Sequence, residues 1–438
     1  MTSPSDAAVT RWTSPPWDEV AGIVGRQHLQ PATAADAVGG VVPTAVAAPG
    51  SADEVARALA CANRAGLAVV LRGGGTKLDW GRAPRRADLI LSTARLDRVR
   101  EHAWADMTAT VEAGATVARL QETLAAHGQR VACDALWPER ATVGGILATN
   151  DSGPLRARFG SLRDLIIGVT LALPDGTLAK SGGKVVKNVA GYDLPKLATG
   201  SFGTLAAITE AVFRLHPLPH DTRTLTFTAA TVDPLCELAL AVQRSPLAFV
   251  ALQLRAAASG APAPPAPPAL DVGFEGTRAG LDAQEQQLLR LAEPVSRADP
   301  PPDVWRAREV LWQGQEPAVT LKVAVLPTRL AELCAMVRRV ASGPLWRWRL
   351  VAQALGLAHL RLEAPTGGAL VEGVARLRAE VEAGNGGGSL IVLGCPPEVK
   401  SEIDVWGTPG DALPLLRRVK AQLDPVGILS PGRFIGGI

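Results

Sequence analysis

Short apolar runs alternate along the chain with stretches in which apolar residues recur every three or four positions, and the alternation becomes regular from residue 41. In VVPTAVAAPGSADEVARALACANRAGLAVVLRGGG, Ser51 and Glu54 form a capping-box pair. Val55, Leu59 and Ala62 then fall on one helical face, so the pattern predicts a helix over residues 52–65, ended by Gly66. The apolar run LAVVL predicts a buried strand over 67–71, with Gly73, Gly74 and Gly75 just beyond its C-terminal end. Further on, ADLILS and TATVEAG read as strands and TVARLQETLAAHGQ as a helix, while LRDLIIGVTLALPDGTLAK reads as a strand pair turning at Asp175 and Gly176. Up to about residue 218 the pattern is that of one α/β unit.

After RLHPLPHD the composition changes. TRTLTFTAA, LCELALAVQRS and AFVALQLR give a fresh set of strand and helix candidates. They run into GAPAPPAPPALDVG, whose prolines can hold neither a helix nor a central strand, so residues 260–268 are expected to form a surface loop. GNGGG at 384–388 reads as another loop, followed by the strand SLIVLG, and a helix with Gly and Pro punctuation closes the chain. The second region therefore reads as an α+β domain.

With 438 residues, 47% of them hydrophobic and 20% charged, the chain can bury a large core and divide it between two or three domains. Its net charge of +3, spread over 45 basic and 42 acidic residues, supplies neither a basic stripe for nucleic acid nor a block of like charge for a membrane surface. The five cysteines are far apart and contain no CxxC pair, which argues against a disulfide framework and against a thiolate metal site. The N-terminus has no continuous apolar segment, and no later run approaches about 18 apolar residues. Small-molecule chemistry in the cytoplasm, without a membrane span, is the expectation.

A glycine-rich turn after a strand lets consecutive N–H groups converge on an anion, because no Cβ blocks the approach and positive φ costs little. RGGGTKLDWG is neither a GxxxxGK[ST] loop nor a GxGxxG opening a helix. Taken alone it fits a tight turn as well as a phosphate site. Two more glycine-dense stretches, at 137–168 and 182–215, shift the balance.

RGGGT (72–76), TVGG (142–145), SGPLRARFGSLRD (152–164), KNVAGYDLPKL (187–197), GSFGTLAAITE (200–210) and DPVGILSPGRF (424–434), in that order, resemble the flavoproteins of the vanillyl-alcohol oxidase and p-cresol methylhydroxylase fold. Within that group, GGKVVKNVAGYDL and SGPLRARFGSLRDLIIG are most similar to the FAD-binding subunits of bacterial glycolate oxidases. The resemblance implies an α+β chain with a p-cresol methylhydroxylase-type FAD-binding domain of two α/β subdomains at 40–218, after an extension at 1–39. A smaller α+β cap domain would span 219–420, and 421–438 would return to the flavin domain. It further implies that Arg72, Gly73, Gly74, Gly75 and Thr76 hold the FAD diphosphate. Thr142, Gly144, Gly145, Thr149, Ser152 and Gly153 would lie along the ribityl and isoalloxazine, and Ile208 would touch the adenine side. Neither RGGGTK nor TNDSGP offers a histidine, so FAD is expected to be non-covalent.

Oxidation of a 2-hydroxy acid also needs a cation for the carboxylate and a base for the hydroxyl proton. Lys322 in VTLKVAVLP stands where relatives carry a basic residue, and a strand-edge lysine reaching solvent is the plain alternative. The paired-histidine metal segment of catalytic relatives is reduced here to His359 and Arg361 in ALGLAHLRLE, so no metal site is expected. Ser430 replaces the usual Asn before Pro-Gly. The leading expectation is an FAD-binding subunit of a glycolate oxidase-type complex, with a catalytic flavoprotein subunit and an iron-sulfur subunit as partners. Membrane association would come only through those partners. The alternatives are a self-sufficient FAD-dependent 2-hydroxy acid (D-lactate or glycolate) dehydrogenase using Lys322, His359 and Arg361, and a structural subunit that has lost flavin.

Overall fold

A computed structural model describes residues 16–184, 191–258, 266–293, 295–384 and 386–438. The first part of the expected N-terminal extension, most of the proline-rich loop at 260–268, the KNVA portion of KNVAGYDL, and Asn385 of the GNGGG loop lie outside the described residues. The chain divides into two compact units. The first holds the described residues up to Asp151 together with Ser161–Leu218 and Thr408–Ile438, and the second holds Ser152–Gly160 and Pro219–Gly407.

In the first unit the helix Ala52–Arg64 forms as its periodicity predicts, burying Val55, Leu59 and Ala62. Ser51 Oγ accepts the Glu54 N–H at 3.1 Å, while the Glu54 carboxylate reaches back to the Gly50 N–H at 2.7 Å, one residue short of the usual box partner. This helix packs on a sheet ordered Leu29–Pro31, Ala45–Ala47, Leu89–Ser92, Val69–Arg72, whose last three strands are parallel. A second sheet, wholly antiparallel, is ordered Val99–Ala103, Thr108–Glu112, Ala207–Arg214, Ile166–Ala172, Leu178–Gly182. The turn between its last two strands has Gly176 at φ +91°, with the Asp175 carboxylate accepting the Thr177 N–H at 2.8 Å.

The C-terminus is sewn onto the first of these sheets. The Val69 N–H donates to Ile428 O at 2.8 Å and the Ser430 N–H to Val69 O at 2.8 Å. Buried Asp424 gathers the N–H groups of Gly427, Ile428 and Leu429 at 3.0, 3.1 and 2.8 Å. Lys420 ties that carboxylate at 2.5 Å and also donates to Leu429 O at 3.0 Å.

The second unit is built on an eight-stranded antiparallel sheet ordered Ser296–Ala298, Asp221–Thr228, Ala269–Gly276, Phe249–Ala258, Arg347–Gln353, Leu357–Glu363, Ala318–Ala324, Ser389–Gly394. Alternation along these strands puts Leu225, Leu270, Leu252, Leu350, Leu360 and Leu321 on one buried face. The opposite face is polar yet also buried, with Asp271 and Gln253 at 0%, Gln353 at 1% and His359 at 3% exposure.

Candidate cofactor site

A cleft enclosing about 770 Å³ of space, part of it open solvent, lies within the first unit. Arg72, Gly73, Gly74, Gly75 and Thr76 line one wall, and Thr142, Gly144, Gly145, Thr149 and Ile208 line others. Ten of the twelve residues expected at the cofactor are thus brought together. Ser152 and Gly153 are not in the lining. They are buried in the second unit, where Ser152 O accepts a hydrogen bond from Gln353 Nε2 at 3.1 Å.

The glycines of the loop are required by the chain's own packing. A Cβ at Gly73 would stand 2.0 Å from Thr142 Oγ1, and one at Gly74 would stand 1.8 Å from Arg140 O. Gly75 takes φ +73°, the left-handed region that other residues enter at a cost. Seated this closely against the 140–142 segment, the loop leaves the N–H groups of Gly73, Gly74, Gly75 and Thr76 without a protein acceptor among the described residues. Successive amides left free on the wall of a cleft are the donors from which a nest for an anion can be built.

The second glycine pair behaves differently. TVGG forms the start of a short helix, Val143–Thr149, with Thr142 as its N-cap. Its first amides are already used: Val143 donates to Ala115 O at 2.9 Å, Gly144 to Ala113 O at 2.7 Å and Gly145 to Thr142 Oγ1 at 3.3 Å. Gly144 is small because a Cβ would lie 2.9 Å from that of Ala113. This helix end gives the cleft shape, and the loop gives it donors.

Charged groups around the loop are anchored. Arg72 Nη1 holds Asp36 Oδ1 at 2.6 Å, and this bond keeps the Asp36 carboxyl below its ordinary value, helped by the Thr33 N–H. Arg433, buried at 4% exposure, donates to the carbonyls of Leu78, Trp80 and Arg82 and so binds the C-terminal segment to the loop. Burial pushes its guanidinium down to about 10. Lys77, buried, meets Asp151 at 3.3 Å. Lys77, Phe202 and Arg433 all line the cleft and were missed by motif reading, although Lys77 and Arg433 stand inside the quoted motifs RGGGTK and PGRF. Phe202, Trp137, Asn150 and Ser430 have φ between +45° and +55°, so non-glycine strain gathers in this unit.

The three expected catalytic side chains lie in the second unit. Lys322 and His359 are directly opposed across neighbouring antiparallel strands, and Arg361 is opposite Thr320 on the same face. Arg361 is engaged by the chain itself, to Glu363 at 2.9 Å, Gln315 O at 2.9 Å and Glu316 at 3.2 Å. Among the described residues no group of His, Cys, Asp and Glu is arranged to hold a metal.

Residues 43–182 match the family described as the FAD binding domain, and FAD is the cofactor of that domain. The free amides of the loop suit the anionic diphosphate of such a group. The chain is 33% identical over 192 residues to glycolate oxidase subunit GlcD of Bacillus subtilis, covering 44% of this chain and 41% of that protein. It is 33% identical over 135 residues to glycolate oxidase subunit GlcE of Escherichia coli, covering 31% of this chain and 39% of that protein. The chain thus spans less than half the length of either relative. Its fold is that of p-cresol methylhydroxylase, whose substrate-bound crystal structure superposes on 98% of this chain and 96% of that one with a TM-score of 0.73 at 14% identity.

Proposed function

We propose that this chain is the FAD-binding subunit of a glycolate oxidase-type complex that oxidises a 2-hydroxy acid such as glycolate to the 2-oxo acid. The observation carrying this reading is the contrast between an FAD cleft with its diphosphate donors in place and a second unit whose polar face offers one histidine and an arginine tied up by Glu363 and Glu316. A catalytic flavoprotein subunit and an iron-sulfur subunit are the partners it calls for, with a cytoplasmic location and any membrane association coming through them. The first unit acts as the flavin domain and the second as the cap, so that the returning C-terminal segment begins at Thr408 rather than at the expected 421.

Bound FAD supplies the two-electron acceptor. The amides of Gly73 to Thr76 would hold its diphosphate and Thr142, Gly144, Gly145 and Thr149 would shape the wall beside the ribityl and ring system, without a covalent bond, since neither RGGGTK nor TNDSGP has a histidine. Arg72, pinned by Asp36, fixes the entry of the loop rather than moving with ligand.

The opposed pair Lys322 and His359 favours a second reading, a self-sufficient 2-hydroxy acid dehydrogenase. There Lys322 would bind the carboxylate, His359 would take the hydroxyl proton, and Arg361 would hold the strand in place. The visible spectrum of the purified chain, recorded anaerobically before and after glycolate, separates the two. Bound flavin that stays oxidised until a catalytic partner is added supports the subunit reading, whereas bleaching by glycolate or D-lactate alone replaces it with the dehydrogenase.

A further inference from the structure

Lys77 has no part in the roles above, yet the first unit is arranged to keep its charge in the cleft wall. Its side chain is 4% exposed and meets the carboxylate of Asp151, itself 1% exposed, at 3.3 Å. Leu136 O lies 3.4 Å from Nζ, and the rings of Trp80 and Trp137 stand 5.7 and 5.5 Å away, within reach of a cation–π contact. Trp137 holds a left-handed backbone at φ +55°, and Asp151 is itself placed by accepting the Leu136 N–H at 2.8 Å. The ammonium therefore sits at a fixed point, shielded from solvent, directly after the glycine loop.

A charge shielded from solvent acts more strongly on its surroundings than one in water. Adding two electrons and one proton to the oxidised, neutral flavin ring leaves it with one negative charge. A cation fixed in the cleft wall favours that form over the oxidised one, and a carboxylate beside the cation reduces the effect. We propose that the Lys77–Asp151 pair sets the reduction potential of FAD held in this cleft, Lys77 raising it and Asp151 moderating the rise. The proposal rests on the assignment of FAD to this cleft and on no particular substrate.

A mere brace between loop and helix end would change stability, or affinity for both redox forms alike. A tuning charge changes the ratio of the two affinities. The test is the midpoint potential of the flavin in the purified holoprotein, measured against a reference dye with a chemical reductant and no hydroxy acid. Asp151→Asn keeps an acceptor for the Leu136 N–H and removes the negative charge, so the preference for reduced flavin is expected to rise about tenfold, which for two electrons is about 30 mV. The pair Lys77→Met with Asp151→Asn, which leaves no lone buried carboxylate, is expected to fall about tenfold below Asp151→Asn. Lys77→Arg, retaining the charge, should stay within about threefold of the parent. Equal potentials in the parent, Asp151→Asn and the double variant overturn the proposal, and so does a shift in Lys77→Arg, in either direction, as large as the tenfold step expected of Asp151→Asn. Since no hydroxy acid enters the measurement, its failure is distinct from a failure of glycolate to bleach the flavin.

Discussion

The two units supply polar groups in opposite ways. In the first, recognition is assigned to the main chain: Gly73 to Thr76 present bare amides, and side chains such as Thr142, Arg72 and Arg433 fix the backbone that bears them. In the second, buried side chains of the polar face bond one another across the sheet. Asp271 alone takes both Arg255 contacts, at 2.6 and 2.9 Å, with Thr226 at 2.8 Å and Gln253 at 3.1 Å. A backbone site tolerates no added atom, because its geometry is set by how closely two chain segments approach. A side-chain network tolerates change in size but not the loss of one charge.

The largest expected effect comes from putting a methyl group into the first kind of site. Gly74→Ala places its Cβ 1.8 Å from Arg140 O, so the loop must move. Loss of flavin by at least a hundredfold in affinity, with destabilisation on the order of 3 kcal/mol or more, is expected from absorbance titration and thermal melting. Retention of normal flavin binding would erase the distinction between the units. Next comes Asp271→Ala, which leaves Arg255 without its carboxylate and should cost about 3–5 kcal/mol in denaturant unfolding, with the flavin spectrum unchanged. Flavin loss in step with unfolding would show that the units do not behave separately.

Smaller effects sharpen the contrast. Asp36→Asn weakens the anchor of Arg72 and should cost about 0.5–1.5 kcal/mol, seen as a modest loss of FAD affinity. Because the Asp36 carboxyl is held below its ordinary 3.8, the pair contributes fully above that value and is lost as pH falls through the lower folded value. Flavin release tied to this group therefore belongs below about pH 4, and a midpoint near pH 6 would exclude it. The smallest effect is expected at the thiols. Burial pushes Cys61, Cys334 and Cys395 up to about 11 and Cys133 and Cys236 up to about 12. Alkylation of the folded protein at pH 8 should be slow at all five, including Cys133 and Cys395, which the structure leaves only partly buried.

The readable parts of this sequence were those in which chemistry is local. The helix Ala52–Arg64 follows from Ser51, Glu54 and a spacing of apolar residues, and the Asp175-Gly176 hairpin from its turn residues. The glycine loop was legible as a run of small residues, and most of the expected cofactor positions do line one cleft. The helix Val143–Thr149 was hidden because its two early glycines argue against a helix, and only the contact with Ala113 explains Gly144.

What the amino-acid order determined alone was the elements with local signals, the break near residue 218 and the motifs through which the FAD cleft can be recognised. The tertiary structure decided why Gly73 and Gly74 must be glycine, that Arg72 is tied to Asp36, and that Ser152 is held by Gln353, 201 residues further along the chain. It also brought Arg433 to the carbonyls of Leu78 and Trp80, about 350 positions earlier in the chain. The physical reason is range. Caps, turns and periodicity act over a few residues, whereas steric exclusion, ion pairing and burial act through space between segments whose separation along the chain carries no trace of their contact.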